Sequence, residues 1–340
     1  YGSVRIGRVL EDLDALAGTV SAKHNRPRAP SKLMLVTASV DRIQLLQHAD
    51  TRSNMKLEGS VAWVGRSSMV LRLLAFSEGV QGGQEPWLEA DFTFVARDPA
   101  TRRSAPVNPL ELRTEAERAL FQRIAANVER DRIARSRVTV FFVGTPLLKK
   151  PEAVDAEAVA KLVAQVQPSV LMPALSDPNT VLMSDTRQTN AFVCQPQHRN
   201  MQDRIFGGLL MRRAYELAFA TAFLFCGSKP QFIEVDRVEF RAPVEVGDLL
   251  LLSARVLYTT PRRTSHASTR NVLVRPPEVH VEVVAHVARP DTNHVEVVNT
   301  FMLTFLIPNG ETVKRVLPSS SDDAQRMLAR MAADERRDSA

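Results

Sequence analysis

The stretch that most constrains this chain is Arg199 to Gly227, R-N-M-Q-D-R-I-F-G-G-L-L-M-R-R-A-Y-E-L-A-F-A-T-A-F-L-F-C-G. Gly207 and Gly208 open a long apolar helix, and Leu210, Ala214, Leu217, Ala218, Thr221 and Phe225 recur along it at spacings of three and four. Gly227 ends it in the way glycine commonly ends helices. A helix this apolar has to be buried, and its small residues let the covering approach closely. The chain that follows is almost entirely strand-like, so the covering is a sheet. The glycine pair also leaves backbone N–H groups open at the positive end of a helix, where a substrate carbonyl can be received.

The rest of the chain repeats this plan. Residues 5–23 read as a helix whose stripe is Ile6, Val9, Leu10, Leu13, Leu16, Ala17 and Val20. Leu33–Leu46, Leu57–Val64, Met69–Phe76 and Trp87–Ala96 read as strands, the middle two joined by the turn Gly65-Arg66-Ser67-Ser68. Residues 108–136 carry a charged helical pattern, Val138–Val143 is a short apolar run, and 147–185 read as a proline-bearing linker or crossover. The second cycle has a strand at Ala191–Gln195, the central helix at 206–226, strands at Gln231–Arg241 and Leu249–Tyr258, a basic turn at Pro261-Arg262-Arg263, and three strands through Ile307. Residues 309–340 read as a polar tail with at most a charged amphipathic helix.

This is an internal repeat. Val40-Asp41-Arg42-Ile43 in one half answers Val235-Asp236-Arg237-Val238 in the other. Only the second half has a strand ahead of its helix, so either that strand is absent from the first half or Tyr1 is not the true start. One long helix followed by long antiparallel strands, twice, predicts an α+β tandem (double) hotdog, each unit a helix wrapped by a curved sheet. The boundaries predicted are a hotdog half at 1–106, a helical or irregular linker at 107–188, a second hotdog half at 189–308 and the polar tail.

Composition excludes several classes of function. With 340 residues and 44% apolar content, each half can build a core. The two cysteines, Cys194 and Cys226, give no disulfide framework, and the seven histidines show no metal-ligand spacing, so neither a metal nor a cofactor is expected. No apolar run is long enough to span a bilayer as a helix. The net charge of +6 suits an anionic ligand, a mitochondrial matrix protein or a nucleic-acid partner, and the interleaving of basic with acidic residues leaves the choice open.

Several long motifs resemble the mitochondrial double-hotdog acyl-CoA thioesterases. They are N-x-x-x-x-x-F-G-G-L-L-M-R-R-A-Y-E-L-A at the central helix, R-x-G-R-V-L-E-D-L-D-A-L at 5–16, S-V-A-W-V-G-R-S-S-M at 60–69, F-V-A-R-D-P at 94–99, V-N-P-L at 107–110 and P-V-E-V-G at 243–247. The resemblance implies hydrolysis of acyl-CoA thioesters in the mitochondrial matrix, with coenzyme A as part of the substrate and a homo-oligomer of double-hotdog units. It also implies one composite site. An acid seven residues after the second glycine of one half faces an asparagine ahead of the glycines of the other. Counting from Gly7 gives Asp14; the matching position after Gly208 is Tyr215, which is no acid. The asparagine is Asn200, six residues before Phe206, which stands where the family pattern has histidine.

Thioester hydrolysis needs an activated water or a carboxylate nucleophile, which Asp14 can supply, and donors for the developing oxyanion, expected from the backbone at Gly207 and Gly208. Asn200 would orient the water or the carbonyl. Arg66, Arg262 and Arg263, at strand turns, are candidates for the CoA phosphates. Each has a plainer reading. Asp14 lies about 40° from Leu10 around the helix, at the rim of the stripe, where acids also serve as dipole partners. Asn200 suits a loop cap, the glycines suit close packing, and turn arginines are often merely solvated. Two further readings stay open. One is a non-catalytic subunit of a large mitochondrial assembly, such as the ribosome or its assembly intermediate; the other is an acyl-CoA-binding sensor.

Overall fold

The computed structural model describes residues 4–26, 33–49, 52–78, 85–136, 156–172, 177–200, 204–236, 238–261, 263–266, 272–308 and 312–338. Two helices form its centre, α1 (Ile6–His24) and, later in the chain, α4 (Gly207–Cys226). The first half continues with β1 (Met34–Leu45), β2 (Met55–Val64), β3 (Ser68–Ser77) and β4 (Leu88–Arg97), followed by α2 (Glu115–Ser136) and α3 (Ala156–Leu171). The second half has β5 (Thr180–Leu182) and β6 (Gln188–Val193) before α4. After it come β7 (Gln231–Val235), β8 (Val238–Glu239), β9 (Leu249–Thr260), β10 (Arg263–His266), β11 (Val272–Arg275), β12 (Glu278–Arg289), β13 (His294–Leu306), β14 (Arg315–Leu317) and α5 (Ser321–Asp338).

Ten strands make one sheet in the order β2-β3-β4-β1-β7-β13-β12-β9-β6, with β8 also on β1. Every pairing in it is antiparallel. The halves meet edge to edge at β1 and β7. α1 packs against β1–β4, α4 against β6, β9, β12 and β13, and the two helices pack on each other. Leu10, Leu13, Ala17, Leu210, Ala214 and Ala218 lie with the inward residues of both halves of the sheet in one continuous core. The alternation of buried and half-buried residues along β4 is what a strand with one covered face requires.

The local chemistry accounts for the helix ends. Lys23 and His24 sit at the negative end of α1. Asn25 then stops the helix: its backbone and side-chain N–H groups donate to Ser21 O, and its Oδ1 accepts from Asn108 N at 3.1 Å. Asn108 of the V-N-P-L motif returns a bond to His24 O at 3.0 Å, so that motif is a clasp on the end of α1. α4 ends at Gly227, whose φ of 69° is a left-handed conformation that glycine adopts without strain.

The repeat is a pseudo-two-fold in space. Ile43 pairs with Val235, and Val40 with Val238. Exchanging the halves in the register of the two Val-Asp-Arg motifs turns each pair into the other. The helices obey the same exchange. A methyl added at Gly7 would meet Arg212, the counterpart of Glu11, at 3.2 Å. One at Gly208 would meet the Glu11 backbone at 2.9–3.0 Å. α1 and α4 therefore run antiparallel and cross with their first turns against each other's middles, as an isologous contact does.

Several expectations need correction. The strand at Gln231–Arg241 is broken into β7, which pairs with both β13 and β1, and β8, which pairs with β1. Residues 108–114 are extended, and the helix starts only at Glu115. The span read as a linker contains α3, which packs on α5, and β5, which pairs in parallel with β14. The strand ahead of the central helix starts three residues earlier than expected and ends two earlier, at Gln188–Val193, where it pairs with β9. Val138–Val143 lies outside the described residues. Two short strands, β10 and β11, form a separate ribbon beyond the strands expected there.

The tail is no loose appendage. Ala324, Met327, Arg330 and Asp334 of α5 are buried against the second half. Arg255 bonds Glu282 at 3.0 Å and Asp323 at 2.7 Å, and Arg326 bonds Glu282 at 3.0 Å. Arg330 pairs with Asp236 and, at 2.9 Å, with Asp334. Beside it Arg42 bonds Glu234 at 2.9 Å across the β1–β7 junction. The charged amphipathic helix expected at most in the tail is present as α5, and its charges form a polar layer between helix and sheet. Burial and the nearby Arg330 cation hold His280 neutral, its pKa lowered to about 3; it stacks on Tyr258 at 4.0 Å.

Two outcomes follow from this packing. Arg330→Ala leaves Asp236 and Asp334 without their cation and should cost about 3–5 kcal/mol by chemical denaturation, as breaking a buried pair does; an unchanged midpoint would make α5 a surface ornament. Gly208→Ala should cost about 1–3 kcal/mol, because the obstacle is the α1 backbone and not a side chain that can turn away. A thermal midpoint within error of the unaltered chain would contradict the crossing described here.

Candidate active site

The first turn of α4 has no cap of its own. Phe206 stands at its N-cap with no side-chain hydrogen bond to give. The acceptor comes from the other helix: Gly208 N–H donates to Asp14 Oδ2 at 2.7 Å. Thr37 on β1 donates its hydroxyl to Asp14 Oδ1 at 3.1 Å. Asp14 is 2% exposed, so it is not at the rim of the stripe but inside, because the start of α4 lies over it. Gly207 permits the approach, since a Cβ there would meet Asp14 Oδ2 at 3.1 Å and the Phe240 ring at 3.1–3.2 Å.

Burial raises the pKa of Asp14 to about 6, against the lowering effects of the Gly208 N–H and the Thr37 hydroxyl. A carboxylate with that pKa is mostly ionised at neutral pH and still basic enough to accept a proton, the compromise that general-base catalysis needs. Two of its lone pairs are taken by Gly208 and Thr37, which leaves acceptor capacity for a water.

The two glycines have different hydrogen-bonding states. Gly208 N–H is spent on Asp14 and is not a free oxyanion donor, which corrects the expectation that both would serve. Gly207 N–H has no hydrogen-bond partner among the described residues. It is the donor left at the positive end of α4.

Asn200 lies in the loop that leads into α4. That loop folds back on itself: Arg199 bridges Ile205, Phe206 N–H donates to His198 O at 3.0 Å, and Asn200 N–H donates to Arg204 O at 2.7 Å. The Asn200 Oδ1 accepts from Arg204 N–H at 3.3 Å. Among the described residues Asp14 bonds Gly208 and Thr37, and Asn200 is not one of its partners. Asp14 lies at the Gly207-Gly208 start of α4, where the composite site was expected; no direct bond to Asn200 was expected, since a water and the thioester carbonyl were to lie between them.

Arg66 is exposed in the β2–β3 turn, where its carbonyl accepts from Val107 N–H at 3.0 Å. Arg263 begins the β10–β11 ribbon, opposite Arg275. Arg262 lies outside the described residues. Thr37 and Phe240 were missed by sequence reasoning. Thr37 carries a faint signal, a single hydroxyl inside the apolar run Met34-Leu35-Val36; Phe240 carries none. No group of three or more His, Cys, Asp or Glu side chains suited to a metal occurs among the described residues.

Comparison with known proteins accords with this geometry. Residues 202–265, which include the start of α4, match the model of the thioesterase superfamily. The chain is 41% identical over 346 aligned residues to acyl-coenzyme A thioesterase 2, chloroplastic, of Humulus lupulus, an alignment that covers 98% of this chain and 75% of that protein. It is 40% identical to acyl-coenzyme A thioesterase 4, mitochondrial, of the same plant, over 98% of this chain and 62% of the relative. It is 34% identical to acyl-coenzyme A thioesterase 9, mitochondrial, of Mus musculus, over 89% of this chain and 66% of the relative. The chain thus spans roughly two thirds to three quarters of the length of these relatives. On the identity and coverage of these alignments, the chain belongs to the acyl-coenzyme A thioesterase family.

Proposed function

We propose that this chain hydrolyses acyl-CoA thioesters at one composite site, with Asp14 as the general base. The observation that carries the reading is the buried Asp14 carboxylate, held by Gly208 and Thr37, with its pKa raised to about 6 beside the start of α4. A water bonded to Asp14 gives up a proton to the carboxylate as its oxygen attacks the thioester carbonyl carbon. The carbonyl oxygen becomes an oxyanion and accepts from Gly207 N–H, at the positive end of the helix. The C–S bond then breaks, the proton on Asp14 passes to the departing thiolate, and a fatty acid and coenzyme A leave. Asn200, in the loop that enters α4, is the residue proposed to orient the water or the acyl group. Arg66, Arg262 and Arg263 are carried as candidates for the CoA phosphates.

The relatives with mitochondrial designations support a place in the mitochondrial matrix. A homo-oligomer of these units is the state proposed. Membership of a large assembly such as the ribosome is the alternative, and a pure chain that turns over no acyl-CoA of any length would favour it.

The sign of the Asp14 shift gives two outcomes. Its pKa is raised in the folded chain, so between the ordinary value near 4 and about 6 the folded state holds a proton that the unfolded state has released. Its contribution to stability therefore falls as pH rises through that window, by on the order of 3 kcal/mol, and stays lost above it. Asp14→Asn keeps an oxygen for Gly208 and an amide for Thr37, and should flatten that dependence. The same variant should lower turnover by about 10²–10⁴-fold, the usual worth of a positioned base. For the unaltered chain, kcat/KM should rise with pH to a plateau with a midpoint near 6. A flat profile from pH ~5 to ~7.5, or an Asp14→Asn variant within tenfold of the original, would remove Asp14 from this role. Asn200→Ala should cost about 10²-fold, and full retention of turnover would drop Asn200 from the mechanism.

A further inference from the structure

The pseudo-two-fold that builds the site at Asp14 builds its mirror at the other end of the helix pair. Gly7 takes the place of Gly208, and Tyr215 the place of Asp14. In the register of the Val-Asp-Arg motifs, Phe232 on β7 takes the place of Thr37 and Leu45 that of Phe240. A polar pair, carboxylate and hydroxyl, is thus replaced by an aromatic pair, with the Tyr215 and Phe232 rings edge to face at 5.5 Å. The mirror site is not filled in. It is a cavity of about 870 Å³, lined by Gly7, Tyr215 and Phe232 together with Arg5, Trp87 and Lys229.

Two buried donors in this wall lack partners. Trp87 is 2% exposed, and its indole Nε1–H has no hydrogen-bond partner. Gly7 is buried, and among the described residues its N–H, the equivalent of the one that Gly208 gives to Asp14, has no acceptor. Tyr215, Phe219, Phe232 and Trp87 make the wall aromatic, the kind of surface an acyl chain takes.

The charges point the same way. Four cations line the cavity, Arg5, Arg8, Arg212 and Lys229, against one carboxylate, Glu216. Glu216 is held by Arg212 at 2.8 Å, and Glu11 holds Arg8 at 2.9 Å and Arg212 at 3.1 Å. Arg5 and Lys229 are exposed at the rim. The cavity thus has an aromatic wall and a cationic mouth, and its volume is in the range of sites that hold small ligands. It has no base: burial pushes the Tyr215 phenol up, so it stays neutral at physiological pH.

We propose that this cavity is a second, non-hydrolytic site for an amphiphilic anion, a fatty carboxylate or an acyl-CoA thioester. The acyl chain lies on Tyr215 and Phe232, and Arg5 and Lys229 meet the anionic end. The choice of ligand class rests on the thioesterase reading, because the ligand is the substrate or product of that reaction. The site would let the concentration of substrate or product be sensed roughly 10 Å along α1 from the catalytic acid, the rise of seven helical residues.

The chain has two tryptophans, so Trp63→Phe leaves Trp87 as the sole indole reporter. In this background laurate and the hydrolysis-resistant thioether analogue of lauroyl-CoA are titrated separately. Trp87 emission and the number of molecules bound per chain are recorded. The proposal expects the emission to shift with at least one probe, and two thioether analogues bound per chain. Response to laurate assigns the site to a carboxylate, and response to the thioether alone assigns it to acyl-CoA. Arg5→Glu with Lys229→Glu should weaken the Trp87-reported binding by roughly tenfold or more. One equivalent per chain with silent Trp87, or a response unmoved by the charge reversal, would overturn it. Binding is read here without turnover, so absence of hydrolysis in the unaltered chain would sink the catalytic reading and leave this test standing.

Discussion

The structure depends on a hydrogen bond between its two halves, from the Gly208 N–H of α4 to the Asp14 carboxylate of α1. It caps a helix that has no cap of its own, ties the two halves together, and buries a charge where chemistry can use it. Each consequence requires the others. If Gly208 carried a side chain, the Glu11 backbone would stand in its way, and if Gly207 did, Asp14 and Phe240 would. The glycines are first a packing requirement of the helix crossing. The chemistry follows from how close that crossing is, since the same approach excludes water from Asp14 and raises its pKa to about 6.

The pseudo-two-fold explains why there is one such site and not two. Duplication supplied two equivalent ends of an antiparallel helix pair. Substitution of Tyr215 and Phe232 for the acid and the hydroxyl left the second end without that carboxylate but with space and a cationic mouth. Meanwhile α5 and its arginines cover the second half of the sheet, so the halves share a plan and differ in their outer layers.

Much of this was legible in the sequence, and for identifiable reasons. The stripes Ile6-Leu10-Leu13-Ala17 and Leu210-Ala214-Leu217 have a period that only a buried helix satisfies, and the repeated Val-Asp-Arg motif carried the register in which the sheet is joined. The count from Gly7 to Asp14 found the acid that meets Gly208. What was not legible depended on distant segments. Asp14 is a rim residue by its angle on α1 and is buried only because α4 begins above it. Thr37 and Phe240 reach the site from strands. Asn200 was placed by resemblance and the arginines by their strand turns; Asn200 bonds within its own loop, and Arg66 is exposed in its turn. The C-terminal segment read as a polar tail with at most a charged amphipathic helix, and the burial of α5 was not legible because its pattern of charges is the same whether they face water or, as Arg330 does, carboxylates.

The central claim is that the fold holds a buried, inter-helix carboxylate poised near neutrality. The direct test is a pH titration of the Asp14 side-chain carboxyl by carbon NMR, assigned by the loss of its signal in Asp14→Asn. The account predicts a single titration with a midpoint near 6. A midpoint near 4, the ordinary aspartate value, would mean that the carboxylate is solvated and that neither the crossing nor the site is as described.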